Sequence, residues 1–193
     1  MSVEPVGGRY LDPDAGAILA KLVAPRRALF LDRDGVMNVD HGYVHTPEQT
    51  QWIPGIFDFC REAAGDGFAL VVVTNQAGIA RGYYTEAQFL DYTHWVHAEF
   101  ARRGVPLLAT YFCPHHPTEG QGTYRRDCEC RKPKPGMLLR AIEEFSLLPS
   151  ASKLIGDKES DLMAGSNAGI GECRYFPGGV LTWDPGKNLL DRT

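Results

Sequence analysis

Two apolar runs stand out in the first half of the chain, Ala28–Leu31 and Phe68–Val73. Both are strand-length, and the second is rich in valine. A run that is apolar at every position predicts a strand covered on both faces rather than one. Leu107–Phe112, Lys153–Ile155 and Cys173–Phe176 predict three more strands. Between these runs the apolar period changes to that of a helix. Ile56, Phe57, Phe59, Cys60 and Ala63 mark one helix after Pro54-Gly55. Thr85-Glu86-Ala87-Gln88 has the form of a capping box, with Phe89, Tyr92, Val96 and Phe100 following at helical spacing until Gly104. Pro135 suits the first turn of a third helix carrying Met137, Leu138, Ile142 and Phe145. Ser160–Ala168 predicts a short fourth helix stopped by Gly169. Asp12-Pro13-Asp14 starts a further short helix through Leu22, in a segment 1–27 that reads as an extension ahead of a single domain at 28–193. Alternation of this kind predicts an α/β fold, a Rossmann-like parallel sheet with helices on both faces.

In such sheets the site lies beyond the carboxyl ends of the strands, so the residues that end each strand matter most. The first run ends in Asp32-Arg33-Asp34-Gly35. Two carboxylates at i and i+2 of an extended segment point the same way. Like charges that close are stable only with a cation or a proton between them. The second run ends in Thr74-Asn75-Gln76, and the fourth in Gly156-Asp157-Lys158-Glu159-Ser160-Asp161. A cationic stretch, Arg131-Lys132-Pro133-Lys134, precedes the third helix. Each piece alone reads as turn, cap or solvated surface. Together, in order and each after an apolar run, they suit Mg²⁺ on carboxylate oxygens and a phosphoryl group between metal and lysine.

Composition narrows the class further. The 193 residues are 44% hydrophobic and 23% charged, ordinary for a globular chain. A net charge of −4 argues against a general nucleic-acid binder. No apolar run approaches the ~20 residues needed to span a bilayer, and the N-terminus lacks a signal-peptide pattern, so a cytoplasmic protein is expected. Thiols stay reduced there, so clustered cysteines suggest metal or catalysis before disulfides. Cys113-x-His115 and Cys128-x-Cys130 supply three sulfurs and an imidazole, the count for a closed tetrahedral zinc site. The one-residue spacing is tighter than in common zinc fingers, and a pair of buried thiols is the competing reading. His116 is a rival for His115. Cys60 and Cys173 read as core thiols, and His94 and His97 as helix packing or surface.

On these motifs the chain resembles the haloacid dehalogenase superfamily of phosphatases, over residues 28 to about 176. Asp32-Arg33-Asp34-Gly35, Thr74, Lys132 and Gly156–Asp161 match its four motifs. Within it, Asn38–Val44, Thr74–Gly82, Cys113-Pro114-His115-His116-Pro117 and Cys128–Pro133 resemble the heptose-bisphosphate phosphatase family. The resemblance implies removal of the 7-phosphate of D-glycero-D-manno-heptose 1,7-bisphosphate, in ADP-heptose and lipopolysaccharide-core synthesis. It also implies Asp32 as nucleophile, Asp34 as general acid and base, and Thr74 and Lys132 as phosphoryl-stabilising groups. Asp32, Asp157 and the Asp34 carbonyl would hold Mg²⁺, and Cys113, His115, Cys128 and Cys130 would hold Zn²⁺ in a loop at 113–130. Asp40, His41, Gly42, Tyr43, Thr74, Asn75, Gln76, Ala77, Arg131 and Lys132 would contact substrate, with Lys158 and Asp161 supporting.

Histidinol-phosphate phosphatases share the zinc loop and the four motifs, and a non-catalytic zinc-stapled module is the alternative of another class. The partner expected is a small phosphorylated sugar, handled by a monomer without nucleic acid or membrane. The intervals Asp32–Thr74 and Thr74–Lys132 already carry helix and loop, which leaves no room for a separate cap domain of ~100 residues. The prediction is a capless phosphatase.

Overall fold

The computed structural model describes residues 7–184; residues 1–6 of the 1–27 segment and the end of the 28–193 segment, 185–193, lie outside them. The chain order is β1 (Gly8–Leu11), α1 (Ala15–Ala20), β2 (Arg27–Leu31), α2 (Ile56–Gly65), β3 (Phe68–Asn75), α3 (Ala77–Ala80), α4 (Glu86–Arg102), β4 (Ala109–Cys113), α5 (Gly136–Phe145), β5 (Lys153–Gly156), α6 (Glu159–Asn167) and β6 (Glu172–Tyr175). The strands form one sheet in the order β1-β4-β3-β2-β5-β6. All neighbours are parallel except β1, which runs antiparallel to β4.

The period-2 geometry of the central strands divides the core in two. Ala28, Phe30, Ala69, Val71 and Val73 face one side and pack with Met137, Leu138, Ala141 and Phe145 of α5 and Ala164 of α6. Leu29, Leu31, Leu70 and Val72 face the other and pack with Ile56, Phe59, Cys60 and Ala63 of α2 and Tyr92, Val96 and Phe100 of α4. Successive strand residues pointing to opposite, equally apolar layers explain why these runs show no polar alternation. The capping box at the start of α4 forms as expected: Thr85 Oγ1 accepts from the Gln88 amide at 3.1 Å, and Gln88 Oε1 accepts from the Thr85 amide at 2.8 Å.

The segment expected to be an extension is part of the fold from residue 8 onward. Gly8–Leu11 pairs with Ala109–Phe112, and Ala15 with Ile18, Leu19 and Leu22 packs on the core. A polar device pins it. Asp12 Oδ2 accepts from or shares a proton with His97 Nδ1 at 2.8 Å, and His97 Nε2 meets Thr110 Oγ1 at 2.9 Å, all buried. A four-residue strand that begins on a glycine, directly after another, gives too weak a pattern to be read as one, which is why sequence placed it outside the sheet.

The chain leaves β2 towards β3 and β4 on one side, then returns to β5 on the other. This reversal of strand order opens a crevice at the carboxyl ends of β2 and β5. Among the described residues no second domain covers it, in agreement with the capless expectation.

Candidate active site

Asp32 follows β2 directly, its amide bonded to the Ile155 carbonyl at 3.0 Å, and is buried. Lys132 Nζ reaches across to Asp32 Oδ1 at 2.7 Å, Asp161 Oδ1 at 2.6 Å and the Val73 carbonyl at 2.8 Å. Three acceptors match the three donors of an ammonium, so a buried lysine stays charged. Burial would lower its affinity for the proton, but Asp32 and Asp161 outweigh that and raise it. The backbone of Lys132 is held as well: Asn75 Oδ1 accepts from its amide and Asn75 Nδ2 donates to its carbonyl, both at 3.1 Å.

Asp161 uses its other oxygen, Oδ2, to accept from the Lys158 amide at 3.0 Å, at the first turn of α6. Ligand oxygens of Asp32, Asp157 and Asp161 lie within 4.8 Å of one another. With both Asp161 oxygens engaged, Asp32 and Asp157 are the pair that faces a cation. The two carboxyls are within hydrogen-bond reach of each other, and Asp157 Oδ1 is buried without a partner. Desolvation, countered by Lys132 and reinforced by Asp161, pushes Asp32 up to about 7. Burial likewise raises Asp157. Two desolvated carboxyls and an orphaned oxygen fit Mg²⁺, whose hard oxygen shell would relieve both. Gly35 makes the arrangement possible. Its φ is +97°, and a Cβ there would stand 2.2 Å from Asp157 Oδ2.

Asp34 is set apart from this cluster. Arg33 grips it through Nη2 at 2.8 and 3.0 Å and Nε at 3.2 Å, Asn38 Nδ2 donates to it at 3.0 Å, and Gln76 Nε2 at 3.1 Å. Burial would raise its proton affinity, but Arg33 and these donors hold the carboxyl below the usual carboxylate range. Gln76 is oriented by Tyr84, whose hydroxyl donates to Gln76 Oε1 at 2.6 Å, so the amide nitrogen faces Asp34 and Thr74 Oγ1, the latter at 2.7 Å. Thr74 thus accepts from Gln76 and keeps its own proton for the cavity.

The cavity, about 310 Å³, is lined by Asp32, Asp34, Asp40, Gly42, Tyr43, Thr74, Asn75, Gln76, Ala77, Lys132, Lys158 and Asp161 among the residues expected from sequence. Asn75 reaches it while its amide holds Lys132. Two expected substrate contacts are not on its wall. His41 is exposed and meets Gln51 Oε1 at 3.3 Å, and Arg131 donates to the His115 carbonyl at 3.1 Å. Tyr84, Gly78 and Ser160 line the cavity without having been expected. Tyr84 and Ser160 sit where the sequence signals a helix start, and that signal hides a side chain turned into a site. Arg33 and Asn38 were visible only as motif neighbours of Asp34.

At the end of β4, Cys113, His115, Cys128 and Cys130 converge, all buried, with their ligand atoms within 4.8 Å of one another. Cys128 and Cys130 sulfurs are 3.1 Å apart, and His115 Nδ1 lies 3.4 Å from Cys130 Sγ. Three soft thiols and an imidazole around one point fit a structural zinc with no open position. His116 turns away, its Nδ1 accepting from the Glu119 amide at 3.0 Å. Cys60 is buried in α2 and Cys173 half-buried in β6, both free.

An aspartate at the switch point of a parallel sheet, with a buried lysine and a cation-ready carboxylate pair, defines a hydrolase of the phosphoryl-transfer class. Comparisons with known proteins agree. The hydrolase-like family model described as HAD-hydrolase-like matches residues 129–174. The D-glycero-beta-D-manno-heptose-1,7-bisphosphate 7-phosphatase of Pasteurella multocida is 53% identical over 75% of this chain and 78% of its own. A HAD-like phosphatase from Mesorhizobium loti superposes with a TM-score of 0.80 at 32% identity, over 95% of this chain and 86% of that one. The D,D-heptose 1,7-bisphosphate phosphatase of B. bronchiseptica, solved with magnesium and phosphate, gives 0.67 at 31% identity, over 76% and 78%. The chain belongs to the heptose-1,7-bisphosphate 7-phosphatase family of haloacid dehalogenase-like hydrolases.

Proposed function

We propose that this chain hydrolyses the 7-phosphate of D-glycero-D-manno-heptose 1,7-bisphosphate and releases heptose 1-phosphate, a step towards ADP-heptose and the lipopolysaccharide core. One juxtaposition carries the chemistry: Asp32 held by Lys132 on one oxygen and set against Asp157, whose Oδ1 is buried without a partner. The 53% identity to a relative of that name supports the substrate. A net charge of −4 favours a small phosphorylated metabolite over nucleic acid. Four closely packed thiol and imidazole ligands suit a reducing compartment such as the cytoplasm.

Asp32 attacks the phosphorus, forming an aspartyl-phosphate as the bond to the C7 oxygen breaks. Asp34 gives its proton to that departing oxygen, then takes one from the water that attacks the intermediate and frees inorganic phosphate. Arg33, Asn38 and Gln76 bias Asp34 towards the anion that the second step needs. The phosphate dianion entering the same cavity opposes that bias and returns Asp34 to the acid that the first step needs. Thr74 donates to a phosphoryl oxygen, and Lys132 offsets the charge of nucleophile and phosphate together. Asp32, Asp157 and the Asp34 carbonyl would hold magnesium, which when bound would supply the remaining charge neutralisation.

The test is steady-state phosphate release from the heptose bisphosphate in α and β forms, with histidinol phosphate beside it and ³¹P spectra of the product. The reading expects loss of the 7-phosphate alone and a kcat/KM at least about tenfold above that on histidinol phosphate, a margin of 1.4 kcal/mol. Loss of the 1-phosphate, or preference for histidinol phosphate, overturns it.

A further inference from the structure

The loop that carries the zinc ligands does more than end at them. Its tip, Glu119-Gly120-Gln121, lies against the end of α3, the short helix that follows the Thr74-Asn75-Gln76 stretch of the site. The Gln121 amide donates to the Ala80 carbonyl at 3.0 Å. Gly120 permits the approach: its φ is +115°, and a Cβ there would stand 2.8 Å from the same carbonyl oxygen. Glu119 then pairs with Arg81 Nη2 at 3.0 Å.

Arg81 is not on the cavity wall, but what it holds is. Its Nη1 donates to the Tyr43 hydroxyl, and its guanidinium lies 5.7 Å from the centre of the Tyr43 ring. Tyr43 lines the cavity with its backbone at φ +57°, a left-handed conformation that a bulky residue adopts only when its surroundings impose it. Tyr83 closes the other side, edge to face with ring centroids 4.6 Å apart. Arg81 Nε is buried without a partner, which a solvated arginine on this surface would avoid. A single cation therefore ties the tip of the metal loop to the tyrosine at the mouth of the site.

We propose that Arg81 is a positioning residue for substrate selection: it transmits the placement of the metal loop to Tyr43 and fixes the wall that an extended phosphorylated sugar must fit. This rests on the reading that the site takes a phosphorylated sugar. A compact phosphoester reaches Asp32 without touching that wall and is indifferent to Arg81.

The experiment compares wild type with Arg81→Ala, Arg81→Lys and Glu119→Gln on p-nitrophenyl phosphate and on a panel of sugar phosphates that includes the heptose bisphosphate. Zinc content is measured in each preparation. Arg81→Ala should raise KM for the preferred sugar phosphate about tenfold, with kcat within about twofold and zinc fully retained. Turnover of p-nitrophenyl phosphate should stay at the wild-type level, and Arg81→Lys should recover part of the loss. Arg81→Ala combined with Tyr43→Ala should be no worse than Tyr43→Ala alone, because the two act through one contact. Equal losses on sugar phosphates and p-nitrophenyl phosphate, or additive losses in the double variant, overturn the proposal. A wild-type enzyme that ignores the heptose bisphosphate while Arg81→Ala still shifts selectivity within the panel removes the substrate assignment and leaves this role standing.

Discussion

Asp161 and Lys132 share a buried contact of 2.6 Å, and the second oxygen of Asp161 is bonded to the backbone that begins α6. One carboxylate thus aims the lysine and fixes the helix from which it does so. Asp161→Asn removes the charge but keeps an acceptor. Removing one partner of a buried pair costs about 3–5 kcal/mol, so the expected result is a lower unfolding midpoint together with a kcat reduced about tenfold or more. Urea titration and phosphate-release assays on the same preparation read both.

Asp32→Ala should abolish turnover while leaving circular dichroism and zinc content unchanged. Substantial surviving activity would remove Asp32 as nucleophile.

Asp34→Asn should slow both chemical steps, because the amide can neither give nor take the proton. Proton transfer of this kind contributes about 10²–10⁴-fold, which sets the size of the loss. An unchanged kcat and pH profile would assign the proton to another group.

Metal removal with a strong chelator should release the loop that Cys113, His115, Cys128 and Cys130 gather. That loop buries little apolar surface of its own, and structural zinc contributes about 10 kcal/mol or more to ordering such segments. Amide exchange across residues 114–131 should accelerate, and activity should fall because Lys132 follows the last cysteine by two positions. Zinc should restore both. A metal-free protein with a protected loop and full activity contradicts this.

The Asp12–His97–Thr110 network gives stability a pH dependence away from the site. Burial, only partly offset by Asp12 and reinforced by His94, lowers the proton affinity of His97 in the folded state. The unfolded chain therefore binds the proton first, and stability is complete above about pH 6.5 and declines as pH falls below it. For Asp12, burial raises the proton affinity, but the bonds to His97 and to the Asp14 amide lower it further. Its contribution is present above about pH 3.9 and is lost as pH falls through the lower folded value. Urea midpoints between pH 8 and pH 5 should decline, and His97→Gln should flatten that decline. Identical slopes in the two proteins would assign the effect elsewhere.

The chemistry was legible because it sits at strand ends, where few residue types are tolerated. Asp32, Thr74 and Asp157 each end or follow a run whose apolar continuity announces a buried strand, and Lys132 stands in a cationic stretch just ahead of a helix. Other features lacked such a marker. β1 is four residues that begin on a glycine, and its partner lies about a hundred positions away, so nothing local predicts the pairing. Tyr84 reaches the cavity through a turn closed by the Tyr83 amide on the Gly78 carbonyl at 3.0 Å, and Gly78 leaves room for its ring. His41 and Arg131 had the right character and the right neighbourhood, yet a side chain's direction depends on contacts, here Gln51 and the His115 carbonyl, that a linear pattern does not encode.

The antiparallel pairing of β1 with β4 bears on how the zinc ligands are kept. Cys113 ends β4, and without β1 that strand would form the border of the sheet, where amides open at little free-energy cost. With it, β4 is flanked on both sides, and the buried Asp12–His97 contact locks the flanking piece. Fraying at Cys113 then requires undocking of the whole N-terminal segment, so the metal site inherits the slow opening of the sheet's interior. A trimmed chain lacking residues 1–14 would keep every catalytic residue and every zinc ligand, and still hold its metal for a shorter time.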